Sequence, residues 1–184
     1  MAVFYYLISS LPMLSVEEKP RISSKEFLAS CVDFLSANQF SEIRNLRLIP
    51  PENFDNLSSQ VIKEWFDWET CLRNSLAKSR GRETSIDVTH VIRGEKDFYS
   101  EINKGIQDAM GRSNPIEKEE VLDRMRWEKL CSLEVGHNFD YANLCIYRMK
   151  LLLCEKRIHW DKVKGNENFD RIVDSIYGAW TPDK

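Results

Sequence analysis

The sequence lacks the short motifs that mark the common catalytic sites. It contains no glycine-rich phosphate-binding loop, no GxSxG nucleophile turn, no HExxH zinc motif and no Rossmann fingerprint. Histidine is scarce and scattered, at His90, His137 and His159. The residues therefore argue against an enzyme or a metalloprotein, and we expect no catalytic residue, no metal and no cofactor.

Cysteine is present without any useful arrangement. The five cysteines form no CxxC pair, no regular framework and no close set of metal ligands: Cys31, Cys71, Cys131, Cys145 and Cys154. Each lies in an apolar helical stretch, where a free thiol behaves as a small hydrophobic group. We predict buried thiols in a reducing compartment. A nucleophilic pair of Cys131 with His137 is the alternative, although Leu130 and Leu133 favour burial.

The chain also lacks a strong charge and a membrane-spanning run. With 26 basic and 29 acidic residues its net charge is -3, which does not favour a nucleic acid or an anionic membrane as partner. No stretch reaches the roughly 18–20 apolar residues of a membrane span. The apolar start has no basic region before it and no cleavage pattern after it, unlike a signal peptide. We expect a cytoplasmic protein without direct membrane insertion or a small-molecule substrate.

What the sequence does contain is helical periodicity, and we predict an all-α fold. It is a bundle-like array of about six to seven helices, preceded by a short extended segment at Val3–Ile8, where β-branched and aromatic residues cluster. The predicted helices lie near residues 23–35, 40–46, 56–78, 98–109, 115–136, 140–156 and 160–177.

Several helix ends carry recognisable signals. Ser23 and Glu26 have the spacing of a capping box, and Asn114 precedes a proline suited to the first helical position. Asp97 is predicted to cap the next helix, and Gly81 to stop the longest one. We interpret the acidic residues generally as favourable charges near helix N-termini.

Two helices have apolar faces that predict their position in the fold. Trp65 and Trp68 share a face with Val61 and Leu72, so core packing is favoured over an aromatic cage or a base-stacking site. The helix near 140–156 is apolar almost all round, which is typical of a central, buried helix.

The domain organisation is predicted from a loss of periodicity between residues 82 and 97. We predict an N-terminal helical lobe at 1–81, a linker at 82–97 and a C-terminal helical lobe at 98–184, with one continuous domain as the alternative.

Three segments carry a resemblance to a known family. They are Phe4-Tyr5-Tyr6-Leu7-Ile8-Ser9-Ser10-Leu11-Pro12, Leu72-Arg73-Asn74-Ser75-Leu76-Ala77, and Phe139-Asp140-Tyr141 through Tyr147-Arg148-Met149-Lys150-Leu151. In this order they resemble a family of uncharacterised proteins encoded in bacterial V/A-type ATPase gene clusters. That family looks similar to the C-type stalk protein of these ATPases (the d-type in eukaryotes), a helical, funnel-like protein that seats the central stalk on the membrane ring.

The resemblance implies a non-catalytic subunit that couples the stalk to the ring, with the central-stalk and membrane-ring subunits as partners. It also implies a location peripheral to the inner membrane. Asp140, Asn143, Arg148 and Lys150 resemble a repeat of the C-type stalk protein and are the predicted partner-binding residues. The alternative for Asp140 and Asn143 is that they only cap the last long helix. The alternative function is a free helical adaptor or assembly factor for the ATPase.

Overall fold

The protein is a helical array, and the predicted all-α class is confirmed. The computed structural model describes residues 4–94, 99–158 and 171–173, and within these ranges it contains helices and no strand. The helices are α1 (Tyr5–Ser10), α2 (Ser24–Cys31), α3 (Ala37–Asn45), α4 (Gln60–Thr84), a 3-10 turn (Thr89–Val91), α5 (Ser100–Met110), α6 (Pro115–Glu134) and α7 (Tyr141–Ile158). Residues 171–173 are also helical, but most of the predicted helix at 160–177 lies outside the described residues.

The predicted extended segment at Val3–Ile8 is wrong, because residues 5–10 form α1. Its apolar residues recur at the spacing of one helix face and pack on the core: Phe4, Leu7, Ile8 and Leu11. Leu7 is fully buried, while Tyr5 and Tyr6 fall on the opposite, exposed face. Docking of the apolar face therefore outweighs the strand preference of the aromatic and β-branched residues.

The next two helices begin as their local sequences dictate. The Ser23 hydroxyl accepts from the Glu26 N–H while Glu26 reaches back to the Ser23 N–H at 2.8 Å, which confirms the predicted capping box. Ser36 and Gln39 form a second box at the start of α3. Glu42 of α3 then accepts from the Ser58 N–H at 2.8 Å and ties α3 to the approach to α4.

The longest helix, α4, continues past its predicted stop. Gly81 lies inside the helix, which ends only after Thr84 with Ser85 in the left-handed region at φ 55°. A Cβ at Gly81 would lie 2.8 Å from Val88 Cγ1 and 2.9 Å from the Ile86 carbonyl oxygen. Glycine is therefore needed here because the returning chain approaches the helix closely, and not to end the helix.

The C-terminal helices pack closely on one another. Asn114 caps α6 through its side-chain oxygen, which accepts from the Ile116 N–H at 2.9 Å, with Pro115 in the first turn as predicted. At Gly105 of α5, a Cβ would lie 2.2 Å from the Met125 sulfur of α6, so this contact requires glycine. Asp97, the predicted cap of α5, lies outside the described residues.

The core is one cluster of buried side chains drawn from both sides of the predicted linker. Trp65 and Trp68 are both buried there, with ring centroids 5.6 Å apart in a stacked arrangement, which confirms their predicted core packing. α7 contributes buried residues over most of its length and contacts α2, α4 and α6, as expected of a central helix. In the part of the chain that is described, no helix is long and apolar enough to cross a membrane.

Candidate functional site

Asp140 and Asn143, the first two predicted partner-binding residues, close the turn between α6 and α7. Asp140 Oδ1 accepts from the Asn143 N–H at 2.9 Å, as an N-cap does, and Asp140 Oδ2 lies 2.6 Å from His137 Nδ1. The Asn143 amide in turn donates to the His137 carbonyl at 2.7 Å. Half of the Asp140 side chain remains exposed, whereas Asn143 is buried. The pair therefore caps α7 and leaves Asp140 within reach of a partner.

Arg148 points from α7 towards α2 and is buried. Its guanidinium donates to the Ser24 hydroxyl, and Ser24 donates to Glu155 through both its hydroxyl and its N–H, the latter at 2.6 Å. Burial lowers the pKa of Arg148 from its ordinary value, and the nearby Glu155 charge opposes this effect. These bonds dock the first turn of α2 against α7.

Lys150 points to a different neighbour. Its ammonium group lies 2.5 Å from Glu134 Oε2 near the end of α6 and 5.3 Å from the centroid of the Trp127 ring. The structure thus brings Asp140 and Asn143 together but sends Arg148 and Lys150 to separate helices. Of the four predicted residues, only Asp140 is not buried.

A buried ion network between α4, α6 and α7 was missed by the sequence interpretation. Its centre is Arg126, whose Nε and Nη2 donate to the two oxygens of Glu69 at 3.0 and 3.1 Å. Glu69 also accepts from Arg73 at 2.8 Å. Glu69 is fully buried in the middle of α4, so the interpretation of acidic residues as charges near helix N-termini is wrong for this residue.

The second half of the network joins α6 to α7. Arg126 Nη1 donates to Asp123 at 2.8 Å and to Glu119 at 3.1 Å. Lys156 of α7 donates to the same carboxylates, at 2.7 Å to Asp123 and 2.5 Å to Glu119. With Arg73 and Glu69 included, the network pairs three acidic with three basic side chains.

The charges of this network hold one another in their ionised forms. Burial by itself lowers the pKa of Arg126, but Glu69, with Asp123 and Glu119, raises that pKa above its usual range. Burial likewise acts to raise the pKa of Glu119, and Lys156 and Arg126 together lower it below its ordinary value. Such a paired and hydrogen-bonded set ties helices together and shows no poised acid or base.

The surface feature that suggests binding is a group of exposed aromatic side chains, which we call the aromatic patch and define as Tyr5, Tyr6 and Phe139. Their exposed fractions are 50%, 76% and 43%. The Tyr5 ring lies 4.8 Å from the Phe139 ring and 5.7 Å from the Tyr6 ring, measured between centroids. The patch therefore joins α1 to the turn before α7, next to the exposed side of Asp140. The helical spacing of α1 was the signal in the sequence that could have revealed it.

The thiols and histidines show no arranged pair among the described residues. His137 is occupied with Asp140, and Cys131 lies partly buried on α6. Burial raises the pKa of Cys31 and Cys154 to about 11 and that of Cys145 to about 12. Within the described ranges, no group of three or more potential ligands could hold a metal ion.

A cleft of about 380 Å³ lies between the loop that follows Pro50, α4 and the connector that ends at Gly94. Arg93, which lines it, donates through its guanidinium to the Pro50 carbonyl at 2.8 Å. Asn74 of α4 exchanges two hydrogen bonds with the Arg93 backbone, at 2.8 and 3.1 Å. These bonds fasten the connector to α4, so we attribute a structural role to Arg93.

Comparison with known proteins gave one similarity, to a family that is described without a function. Neither the curated proteins nor the solved structures yielded a match. The matched residues cover α5, α6 and α7, and so include the end of the ion network and the turn that carries Phe139. Over residues 101–178, the chain is similar to the family described as "Protein of unknown function (DUF2764)".

Proposed function

We propose that this chain is a non-catalytic, protein-binding subunit of a V/A-type ATPase, comparable to the C-type protein of the central stalk. The observation that carries the protein-binding role is the aromatic patch of Tyr5, Tyr6 and Phe139. The ATPase as the partner follows from the resemblance of the segments around Tyr5 and Phe139. Those two segments are distant in sequence, and in the structure their aromatic rings are in contact.

The composition of the patch supports a protein partner. Tyrosine and phenylalanine are enriched in the buried centre of protein interfaces, where they supply large contact areas with few rotatable bonds. In this patch the Tyr5 ring is supported from the side by Phe139, so less side-chain freedom would be lost on binding. Asp140 adds an exposed carboxylate at the edge of the patch.

The mechanical part of the proposal needs a stiff body behind the patch. The buried ion network joins α4, α6 and α7, and the closely packed core surrounds it. Close-packed interiors have low compressibility and transmit strain. A load applied at the turn between α6 and α7 would therefore be passed to α4, and the stalk would be coupled to the membrane ring through protein contacts alone.

Under this proposal the partners are the central-stalk and membrane-ring subunits. The protein would be peripheral to the inner membrane on its cytoplasmic side, held there by the complex. It would need no cofactor, no nucleic acid and no small-molecule substrate, in keeping with the scarcity of catalytic motifs in the sequence.

The test is capture from native cells with a C-terminally tagged chain, followed by mass spectrometry of the bound proteins. We expect stalk and ring subunits in fixed proportion. The double variant Tyr6→Ser with Phe139→Ser should lower this recovery by about tenfold or more, the effect of removing interface hot spots. Ile86→Ser is the matched control, because Ile86 is an exposed apolar residue on the connector after α4.

Two results would overturn the proposal. One is recovery of no ATPase subunit under conditions that preserve the complex. The other is an equal loss for the patch variant and the Ile86→Ser control while circular dichroism shows both folded. Recovery with incomplete complexes but not with the mature enzyme would instead favour the free adaptor or assembly factor.

A further inference from the structure

The residues from Phe4 to Ser15 run alongside α7 over almost its whole length, and we call them the N-terminal strap. Three contacts occur in the same order along both segments: the Tyr5 ring on the Phe139 ring at 4.8 Å, the Pro12 carbonyl accepting from the Tyr147 hydroxyl at 2.8 Å, and the Ser15 carbonyl accepting from the Cys154 thiol at 3.3 Å. The strap therefore lies parallel to α7, from the turn before it to its last turns.

The strap is held less firmly than the rest of the described protein. It contains no charged residue, so it forms no ion pair with the body. Its helix, α1, has six residues and no side-chain bond at its N-cap, and so short a helix is not stable without packing. The buried side chains that anchor the strap are Leu7 and Leu14. Segments with few buried contacts open more often than the core.

We propose that the N-terminal strap is a latch, which leaves α7 as one unit while helices α2 to α7 stay folded. The aromatic patch depends on this latch, because Tyr5 and Tyr6 are on the strap whereas Phe139 is on the body. The patch is complete only when the strap is docked. A partner bound across it therefore holds the strap in place, and opening of the strap releases the partner.

The role in partner release rests on the proposed function, whereas the opening itself does not. Opening has its own chemical reporter, Cys154. This thiol is buried under the strap, and its burial raises its pKa to about 11, so it reacts slowly while the strap is docked. Cys145, in the middle of α7, is also buried and reports unfolding of the whole body.

The experiment is alkylation of the isolated, folded protein with N-ethylmaleimide, with each cysteine followed by peptide mass spectrometry. We expect Cys154 to be modified at least about a hundredfold faster than Cys145, because local opening is more frequent than global unfolding. Leu7→Ala should accelerate Cys154 about tenfold or more, since it removes a buried anchor of the docked strap. Leu130→Ala, in the core of α6, should accelerate Cys145 and leave Cys154 unchanged.

Two outcomes would overturn the latch. If Cys154 and Cys145 react at the same rate in every variant, only global unfolding exposes them. If Leu7→Ala leaves the Cys154 rate unchanged, the end of α7 frays without the strap, because Leu7 lies at the far end of the strap from Cys154. Leu14→Ala removes the second anchor and serves as the strap variant if Leu7→Ala does not fold. Since no partner is present in this assay, its result is independent of the capture experiment.

Discussion

Replacing Arg126 with methionine should unfold the protein at a much lower urea concentration. Methionine keeps a long, unbranched apolar side chain but removes the guanidinium that donates four hydrogen bonds to Glu69, Asp123 and Glu119. Glu69 and Asp123 are fully buried, so their charges lose a partner in a place that water does not reach.

The magnitude follows from what remains in the network. Breaking a buried ion pair by removing one partner lowers the free energy of unfolding by about 3–5 kcal/mol. After Arg126→Met, Glu69 keeps its 2.8 Å bond to Arg73 and Asp123 keeps its 2.7 Å bond to Lys156. We therefore expect the lower end, about 3 kcal/mol, which is a fall of about 1.5 M in the urea midpoint at an m value of about 2 kcal/mol/M.

The assay is urea unfolding followed by circular dichroism, with Arg112→Met as the matched control. Arg112 forms an ion pair of the same 2.8 Å length with Asp108, but both side chains are about half exposed, so its loss should change stability by less than about 1 kcal/mol. The double variant Glu69→Met with Arg126→Met removes the buried pair together and should recover most of the lost stability. Equal midpoints for Arg126→Met and Arg112→Met, or a double variant as unstable as the sum of the singles, would refute the reasoning.

Two further predictions concern the same framework. The pKa of Glu119 is lowered in the folded protein, so its pairing with Lys156 stabilises the fold above the ordinary value of 4.5 and is lost as the pH falls through the folded pKa; the urea midpoint should drop over this range, and by less in Glu119→Gln. Gly81→Ala should destabilise the fold by about 1–3 kcal/mol through its contacts with Val88 and Ile86, despite the higher helix propensity of alanine, whereas Gly94→Ala meets nothing within 4 Å and should be neutral. An unchanged urea midpoint for Gly81→Ala would contradict this packing.

The order of the helices and several of their ends could be predicted because their signals are local. The Ser23–Glu26 capping box and the Asn114 cap with Pro115 each satisfy backbone groups within one turn, so a few adjacent residues contain the whole interaction. The burial of Trp65 and Trp68 followed from helical spacing alone.

The ion network and the aromatic patch could not be predicted in this way. Glu69 and Arg126 are 57 residues apart, and nothing near either one in the sequence shows that the two helices meet at these positions. A buried charge and a surface charge have the same residue type, and only the packing of the helices separates them. Tyr5 and Phe139 are likewise distant in sequence and adjacent in space.

The parallel course of the strap along α7 has a practical consequence for constructing fusion proteins. Any segment attached ahead of Phe4 would emerge beside Tyr5 and Phe139, within one or two residues of the aromatic patch. A bulky tag or fluorescent protein placed there would sterically compete with whatever binds the patch. A fusion at this end should therefore carry a long flexible spacer, and an affinity handle is better attached elsewhere.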